Sequence, residues 1–420
     1  MISDNDLCQH QHSRADQILF LLLCGFVFFA PLPNLTTIKE GFFYLLLLTF
    51  TVVALFRFRE FLPFRRIPLV TPLIMFSLWA VVGLFFTLDF ANTWHDLRSH
   101  LLVYLFFYFM LVTLIDSKKR FELVSLLFLS SVFFLSLYVL YIHFYLHGVG
   151  FQDKIVTGIP EIPVNWLGYL LCPALAVGLW SFKKQSTIAE KMFLVSCLCV
   201  FVVLFYMTQS RASIAAFLLI VVVFAFQRDK RAALALVFVC MFVFSMNPVV
   251  KRLTKEKIFA NIRGSQFLIS YEIFKDHPIV GVGYGNQIYS SKIDLQSYRK
   301  KVSDNSKKAP TKRSSFNILS DPHGLFPSLL VRTGIVGVML FVGIVIGFFR
   351  NCFRLASNKN EFFFRKWTTC MGVSFAGVLL IAFFEPTGNH VFQMAFFTVL
   401  GLGGNLVVLA GHQNDSDTVR

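Results

Sequence analysis

Long apolar runs alternate with short polar connections along almost the whole chain. Most runs extend over about 16 to 26 residues, and a helix needs about 20 residues to cross the ~30 Å hydrocarbon core of a bilayer. The pattern therefore predicts membrane-spanning helices and not the ~10-residue alternating strands of a transmembrane barrel. The predicted spans cover residues 17–33, 41–56, 69–88, 97–115, 121–146, 164–182, 190–207, 212–226, 231–246, 326–349, 367–384 and 391–411.

These runs predict an all-α polytopic membrane protein with about twelve transmembrane helices. The first run is expected to remain as a helix, because no small-residue cleavage site follows it. One large loop separates spans 9 and 10. The expected divisions are spans 1–9 within 1–246, the loop at 247–325, spans 10–12 within 326–411 and a tail at 412–420.

Composition supports the membrane assignment. Of the 420 residues, 56% are hydrophobic and 15% are charged, whereas soluble globular domains carry nearer 25% charged residues. The eight cysteines lie in apolar runs or in segments predicted to be cytoplasmic, and none lies in the large loop. A disulfide framework is therefore not expected, and neither a metal site nor a cofactor is predicted.

Basic residues predict the orientation, because Lys and Arg in short loops collect on the cytoplasmic side. Alternate short loops hold eighteen basic residues, whereas the opposite connections hold four, which are Lys39, Arg98, Lys154 and Arg211. The asymmetry predicts cytoplasmic termini and an outer position for these four residues and for the large loop. The eighteen basic residues are explained by their role in setting the topology, and no other function is assigned to them.

The large loop has fourteen basic and six acidic residues. A basic outer surface beside a bilayer attracts anionic headgroups, including phosphorylated glycolipids, although plain phospholipid adhesion explains the basic run 299–313 equally well. Within the loop, residues 252–274 have the spacing of an amphipathic helix that could lie on the membrane surface. Residues 296–315 are polar and poorly periodic, which predicts a flexible segment.

Two polar features at predicted outer helix ends could carry chemistry. Thr208-Gln-Ser-Arg211 joins two spans, and an Arg held there can bind phosphate through two parallel hydrogen bonds. A snorkelling anchor is the less favoured interpretation, because three polar neighbours precede the Arg. Asp321-Pro-His323-Gly324 begins the tenth span, where a His could accept a proton from a sugar hydroxyl, although a structural interfacial His fits equally well.

Two further outer segments are weaker candidates. The glycine-rich segment 275–286 could approach a phosphate, but its G-x-G-x-G spacing is not a dinucleotide fingerprint, and a turn after a helix is the preferred interpretation. Glu385-Pro-Thr-Gly-Asn-His390 is a short turn between the last two spans. Its acid could orient the His or balance an Arg, but a short polar turn needs no function.

Together, these residues in this order resemble the O-antigen ligase family, within a superfamily that includes O-antigen polymerases and protein O-oligosaccharyltransferases. The family has about twelve spans and a large periplasmic loop between two late spans. Its signature is a His followed by Asn, Ser or Gln, then nine residues, then Gly-x-x-Gly/Thr/Tyr. Here His323 precedes Gly324, nine residues follow, and Gly334-Ile-Val-Gly337 completes the spacing. Gly324 departs from the usual amide or hydroxyl residue.

The resemblance also covers two other segments. A second family motif, Arg-x-x-x-Leu, matches Arg211-Ala-Ser-Ile-Ala215 with Ala in place of Leu. The family's loop segment resembles residues 264–285, and it usually carries an Arg where this chain has Gln266, so Arg263 is the expected substitute. Glu385 stands where the family tends to place a late outer acidic residue.

The resemblance implies a glycosyltransferase that uses a polyprenyl-pyrophosphate donor without a metal ion or cofactor. It would transfer a glycan from undecaprenyl pyrophosphate to the lipid A-core at the periplasmic face of the bacterial inner membrane. In this interpretation His323 is the catalytic base, and Arg211 and Arg263 bind pyrophosphate. Glu385, Gln266 and Asp321 have supporting roles. The implied partners are the two glycolipids and membrane lipids, with no nucleic acid.

Three alternatives remain open at this stage. An O-antigen polymerase, or another transferase of lipid-linked oligosaccharides, shares the donor and the chemistry. A lipid-glycan transporter is disfavoured because internal repeats are not evident and the spans are nearly free of charge except for Arg332. A non-catalytic lipid-binding scaffold would tolerate the loss of His323.

Overall fold

All regular structure in the described residues is helical. The computed structural model describes residues 14–33, 35–56, 67–159, 162–183, 186–228, 262–305, 321–357 and 362–418. The helices are α1 Arg14–Phe29, α2 Thr36–Phe56, α3 Val70–Val82, α4 Phe90–Asp96, α5 Val103–Leu114, α6 Lys118–Tyr141, α7 Val164–Ser181, α8 Ile188–Thr208, α9 Arg211–Arg228, α10 Ile262–Asp276, α11 Ile288–Ser291, α12 Leu295–Asn305, α13 Leu325–Ala356, α14 Phe362–Phe384 and α15 His390–Thr418.

Three irregular turns continue this helical structure. A 3-10 turn at Gly83–Phe85 follows α3, a π-helical segment at Leu97–Leu102 joins α4 to α5, and a second one at Ile142–Leu146 extends α6. The two π-helical segments accommodate an extra residue in a wide turn without ending the helix, whereas the 3-10 turn is tighter than an α-helix.

Eight of the described helical segments are long and apolar enough to cross a membrane. They are Thr36–Phe56, Phe90–Leu114, Lys118–Leu146, Val164–Ser181, Ile188–Thr208, Leu325–Ala356, Phe362–Phe384 and His390–Gly411. The prediction of an all-helical, multi-pass membrane protein is confirmed for the described residues.

The count of twelve spans stays a prediction. Shorter apolar helices, Val70–Phe85 and Arg211–Gln227, occupy the places of the third and eighth predicted spans. The first predicted span corresponds to the 16-residue helix α1, and the ninth, 231–246, lies outside the described residues. The outer placement of the loop 247–325 also stays a prediction.

The helices pack closely where small residues line their contacts. Gly168 of α7 lies against Ser213 of α9 and Ile381 of α14, which joins these three helices. Gly401 of α15 lies against Leu111 of α5 in the same way. Without a strong hydrophobic force between helices in lipid, close van der Waals packing at small residues holds such bundles together.

The described part of the large loop forms a small cluster on the beginning of α13. Its buried side chains are Ile269, Ile273, Val282, Ile288, Tyr289, Leu295 and Val331. The predicted helix at 252–274 is present over its described part, as α10, and its apolar face packs on protein. The prediction of a flexible 296–315 is wrong over residues 296–305, because Tyr298 and Val302 of α12 pack against this cluster. Residues 306–315 lie outside the described residues.

Candidate functional site

The ends of α7, α9, α13 and α14 meet at one end of the bundle. The contacts of Gly168 join the second turn of α7 and the first turn of α9 to the last turn of α14. At the beginning of α13, Gly324 lies against the carbonyl oxygen of Phe383, at the end of α14. Arg211, His323 and Glu385 are each within two residues of one of these contacts. The structure therefore brings three of the predicted site residues to the same end of the molecule.

His323 is partly buried just before α13, and the backbone of Gly324 fixes its position beside α14. Gly324 has φ 101°, a conformation that L side chains rarely adopt, and a Cβ there would lie 2.7 Å from the Phe383 carbonyl oxygen. An amide or hydroxyl side chain at this position would therefore meet the end of α14. The positive φ and this close approach both favour glycine at residue 324.

Glu385 is 3% exposed at the turn between α14 and α15. The Asn165 side chain donates a hydrogen bond to its Oε2 at 3.1 Å, and the Tyr169 hydroxyl donates to the neighbouring Pro386 carbonyl oxygen at 3.2 Å. A buried carboxylate is costly unless it is hydrogen-bonded, so Asn165 and Tyr169 hold Glu385 in place. Sequence analysis missed both residues, although their separation of four positions places them on one face of α7.

Arg211 is the first residue of α9 and is exposed. The preceding Gln209 has φ 49° and donates a side-chain hydrogen bond to the Gln152 carbonyl oxygen at 2.9 Å. Thr208 and Ser210 are buried. This short connection therefore has a defined conformation, and Arg211 is exposed at the bundle end.

The two remaining loop candidates lie in α10. Arg263 is in its first turn, and the side chain of Arg263 lies outside the described part of the structure. Gln266 is 5% exposed, and neither of its amide atoms has a hydrogen-bond partner among the residues that the structure describes. A buried amide without a partner costs roughly 1–3 kcal/mol, which makes Gln266 a candidate for contact with a ligand.

Asp321 lies in an environment that disfavours its charged form. Burial raises the pKa of its carboxyl to about 6, and the charge of Asp96 contributes to the rise. The guanidinium of Arg332 opposes this change and keeps the pKa from rising further. Asp321 is therefore close to two buried charges that sequence analysis did not include in the site.

The glycine-rich segment lies between α4 and the beginning of α13. The Val282 N–H donates to the Val331 carbonyl oxygen at 2.8 Å, and the Val282 carbonyl accepts from the Leu88 N–H at 3.1 Å. The Asn286 N–H donates to Asp96 Oδ2 at 2.6 Å. These backbone groups bond to protein, which supports the preferred interpretation of the segment as a packed turn and not as a phosphate cradle.

The Gly-x-x-Gly motif coincides with a break in α13. Gly334 has φ 64° and ψ −168° inside the helix, and its backbone touches Ile279 and Val280. The break frees two backbone groups of α13, and both are bonded to other segments. Trp79 Nε1 donates to the Thr333 carbonyl oxygen at 2.9 Å, and the Ile335 N–H donates to the Pro278 carbonyl oxygen at 2.9 Å. The motif therefore lets the glycine-rich segment bond directly to the helix.

Within the described ranges, no group of three or more His, Cys, Asp or Glu side chains is arranged to hold a metal ion. The charged and hydrogen-bonding groups at this end of the bundle include Arg211, Glu385, Asp321 and His323, and the charges of Asp96 and Arg332 act on Asp321. Such a set can bind an anionic headgroup and move a proton.

The fold and the site together define a multi-pass helical membrane protein with a polar site where several helices end. Residues 194–342 match the family model described as O-antigen ligase. The matched segment extends from α8 into α13 and includes Arg211, Arg263, Gln266 and His323, whereas Glu385 follows it. The resemblance to the O-antigen ligase family is confirmed over this segment. It supports a function of the O-antigen ligase or polymerase type. A search of curated proteins finds no match to the chain.

Proposed function

We propose that this protein is an O-antigen ligase of the bacterial inner membrane. It transfers a glycan from undecaprenyl pyrophosphate to a sugar hydroxyl of the lipid A-core at the periplasmic face. The observation that carries this proposal is the family match over 194–342, which contains Arg211 and His323. The same two residues lie at the bundle end where Glu385 is buried.

The proposed reaction needs a base and a site for the leaving group. His323 accepts the proton of the acceptor hydroxyl, whose oxygen forms a bond to the anomeric carbon of the donor glycan. The bond between that carbon and the pyrophosphate oxygen breaks, and the electron pair leaves with undecaprenyl pyrophosphate. Since the leaving group gains negative charge in the transition state, fixed positive charges beside it lower the barrier.

Arg211 and Arg263 supply those charges in this proposal. Arg211 is exposed at the first residue of α9, where its guanidinium can meet a headgroup at the membrane surface. Arg263 belongs to the first turn of α10. The donor already carries a good leaving group, so this mechanism requires no metal ion.

Glu385, Gln266 and Asp321 support the site. Asn165 holds the Glu385 carboxyl at the end of α14 through a hydrogen bond to Oε2, and in this proposal Glu385 orients the reacting groups. The buried amide of Gln266 can hydrogen-bond to a sugar or phosphate oxygen when the glycolipids bind, because neither of its polar atoms has a partner within the described residues.

Replacing His323 by Ala tests the assignment. A knockout strain complemented with His323→Ala should lack the O-antigen ladder on lipopolysaccharide gels and accumulate undecaprenyl-linked polymer. Loss of a general base lowers the rate by about 10²–10⁴-fold. His147→Ala is the matched control, because His147 is an exposed histidine outside the proposed site. Its ladder should equal that of the wild type.

The same gels separate the proposed ligase from the alternative, an O-antigen polymerase. A lost polymerase leaves single repeats attached to the core, whereas a lost ligase leaves a bare core. A normal ladder in the His323→Ala strain would exclude the catalytic role of His323. A normal ladder in the knockout itself would exclude both functions.

A further inference from the structure

Arg332 is a buried charge in the second turn of α13. Its side chain is 8% exposed, and its Nε donates a hydrogen bond to the Tyr284 carbonyl oxygen at 2.8 Å. A second guanidinium nitrogen donates to the same oxygen, and the guanidinium carbon lies 4.3 Å from the centre of the Tyr284 ring. Burying a charge in a membrane protein is costly, so the buried Arg332 side chain indicates a role beyond packing.

The same guanidinium lies against the turn that follows Glu385. A Cβ placed on Gly388 would be 2.9 Å from Arg332 Nη1, so the Gly388 backbone is in direct contact with the arginine. The Asn286 side chain donates a hydrogen bond to the Gly388 carbonyl oxygen. Three segments therefore meet at Arg332, which are α13, the glycine-rich segment and the turn at 386–389.

A buried carboxylate anchors this junction to α4. Asp96 is 4% exposed, and its Oδ2 accepts the Asn286 backbone N–H at 2.6 Å. Its other oxygen lies 3.1 Å from His95 Nδ1 and 3.7 Å from His100 Nε2. Hydrogen bonds thus link Asp96, Asn286 and Gly388, and the Gly388 backbone contacts the guanidinium of Arg332.

Arg332 does not have room to hold a pyrophosphate itself. It lines a cavity of about 30 Å³ together with Tyr284, Thr387, Gln393 and apolar side chains. A space of this size holds one or two water molecules at most. Any contribution of Arg332 to transfer therefore acts through the backbone that it holds.

We propose that Arg332 is a positioning residue for the transfer reaction, which sets the spacing between His323 and Glu385. His323 precedes Arg332 by nine residues at the same end of α13, and Glu385 precedes Gly388 by three residues. The Arg332 guanidinium bonds the glycine-rich segment and contacts the 386–389 turn. It therefore fixes the positions of both His323 and Glu385. The inference rests on the proposed function.

Arg332→Lys is the decisive variant. Lys keeps the positive charge but lacks the planar fork that bonds the Tyr284 carbonyl twice and stacks on its ring. With purified protein and lipid-linked donor, we expect kcat to fall at least tenfold, which corresponds to about 1.4 kcal/mol. The donor KM should stay within twofold and the Tm close to that of the wild type. The exposed Arg98→Gln is the control and should leave all three values unchanged.

Asn286→Ala provides a second, independent variant. It removes the side-chain bond to Gly388 and leaves Arg332 in place, so kcat should fall with little change in donor KM. Because both residues act on the same turn, the loss in the double variant should be smaller than the product of the two single losses. If Arg332→Lys does not fold, the effect of Asn286→Ala on kcat decides alone.

Several outcomes would overturn the inference. A wild-type kcat in both variants would exclude a positioning role, and a donor KM raised tenfold at constant kcat would make Arg332 a binding residue. A lower Tm with unchanged specific activity would make the junction purely structural. Full activity of His323→Ala would instead reject the mechanism in the proposed function, whatever the Arg332 variants show.

Discussion

At the scale of single residues, Asp321 has a carboxyl whose charge state depends on pH within the physiological range. Its pKa is about 6 in the folded protein because of burial, whereas an unfolded Asp titrates near 3.9. Between these two pH values the Asp321 carboxyl keeps its proton in the folded chain and has lost it in the unfolded chain. The free energy of unfolding therefore falls as the pH rises from the lower value to the higher one. Above about pH 6 the folded chain also loses this proton, and the protonated carboxyl no longer contributes to the free energy of unfolding.

We therefore expect Asp321→Asn to raise the Tm at pH 7, where the wild type has a buried charge, and to change it little at pH 4, where both side chains are neutral. Thermal denaturation in detergent at the two pH values measures this. Asp153→Asn is the control, because Asp153 is exposed. An equal shift at both pH values would show that the charge of Asp321 is not responsible.

Several site residues could be predicted from the sequence because they are polar at the ends of apolar runs. Arg211, His323 and Glu385 all satisfy that rule, and the structure places them at one end of the bundle. Their partners could not be predicted, because Asn165 lies 220 positions from Glu385 and Asp96 lies 190 positions from Asn286. The sequence shows Arg332 only as a charge inside a span, because its bonded carbonyl and its ring contact both belong to Tyr284, 48 positions away.

At the scale of secondary-structure elements, the break in α13 depends on a side chain from α3. Trp79→Phe removes the donor to the Thr333 carbonyl while keeping most of the ring. A carbonyl left without its partner in the protein interior costs roughly 1–3 kcal/mol, so the Tm in detergent should fall by several degrees. The control is Trp94→Phe, since Trp94 is 45% exposed. Equal Tm values for the two variants would show that the bond contributes nothing.

Eight of the twelve predicted spans correspond to described helices long and apolar enough to cross a membrane, because about twenty apolar residues have few other solutions in a bilayer. The errors are found where that constraint ends. α12 was expected to be flexible, since its surface is polar and basic, but the spacing of Leu295, Tyr298 and Val302 gives it one apolar face. The structured helix at 90–96 begins before the predicted span at 97, because Asp89 caps it by accepting the Asn92 N–H at 3.0 Å.

At the scale of the whole molecule, the proposed topology places α12 in the periplasm and the end of α13 in the cytoplasm. Gln296→Cys and Ser357→Cys, each in a chain without its native cysteines, test this, because both positions are exposed. A maleimide reagent that cannot cross the inner membrane should label residue 296 in intact cells and label residue 357 only after lysis. Labelling of residue 357 in intact cells would reverse the assignment.

The break in α13 has a consequence for exchanging parts between related proteins. Residues 278–282 form hydrogen bonds to the backbone of α13 on both sides of Gly334, and Asn286 bonds to Asp96 in α4. The outer segment is thus built into the bundle and is not an interchangeable module. A chimera that receives a relative's segment for 262–305 would need that relative's α4, first half of α13 and 386–389 turn as well, because Asn286 also bonds to the Gly388 carbonyl oxygen.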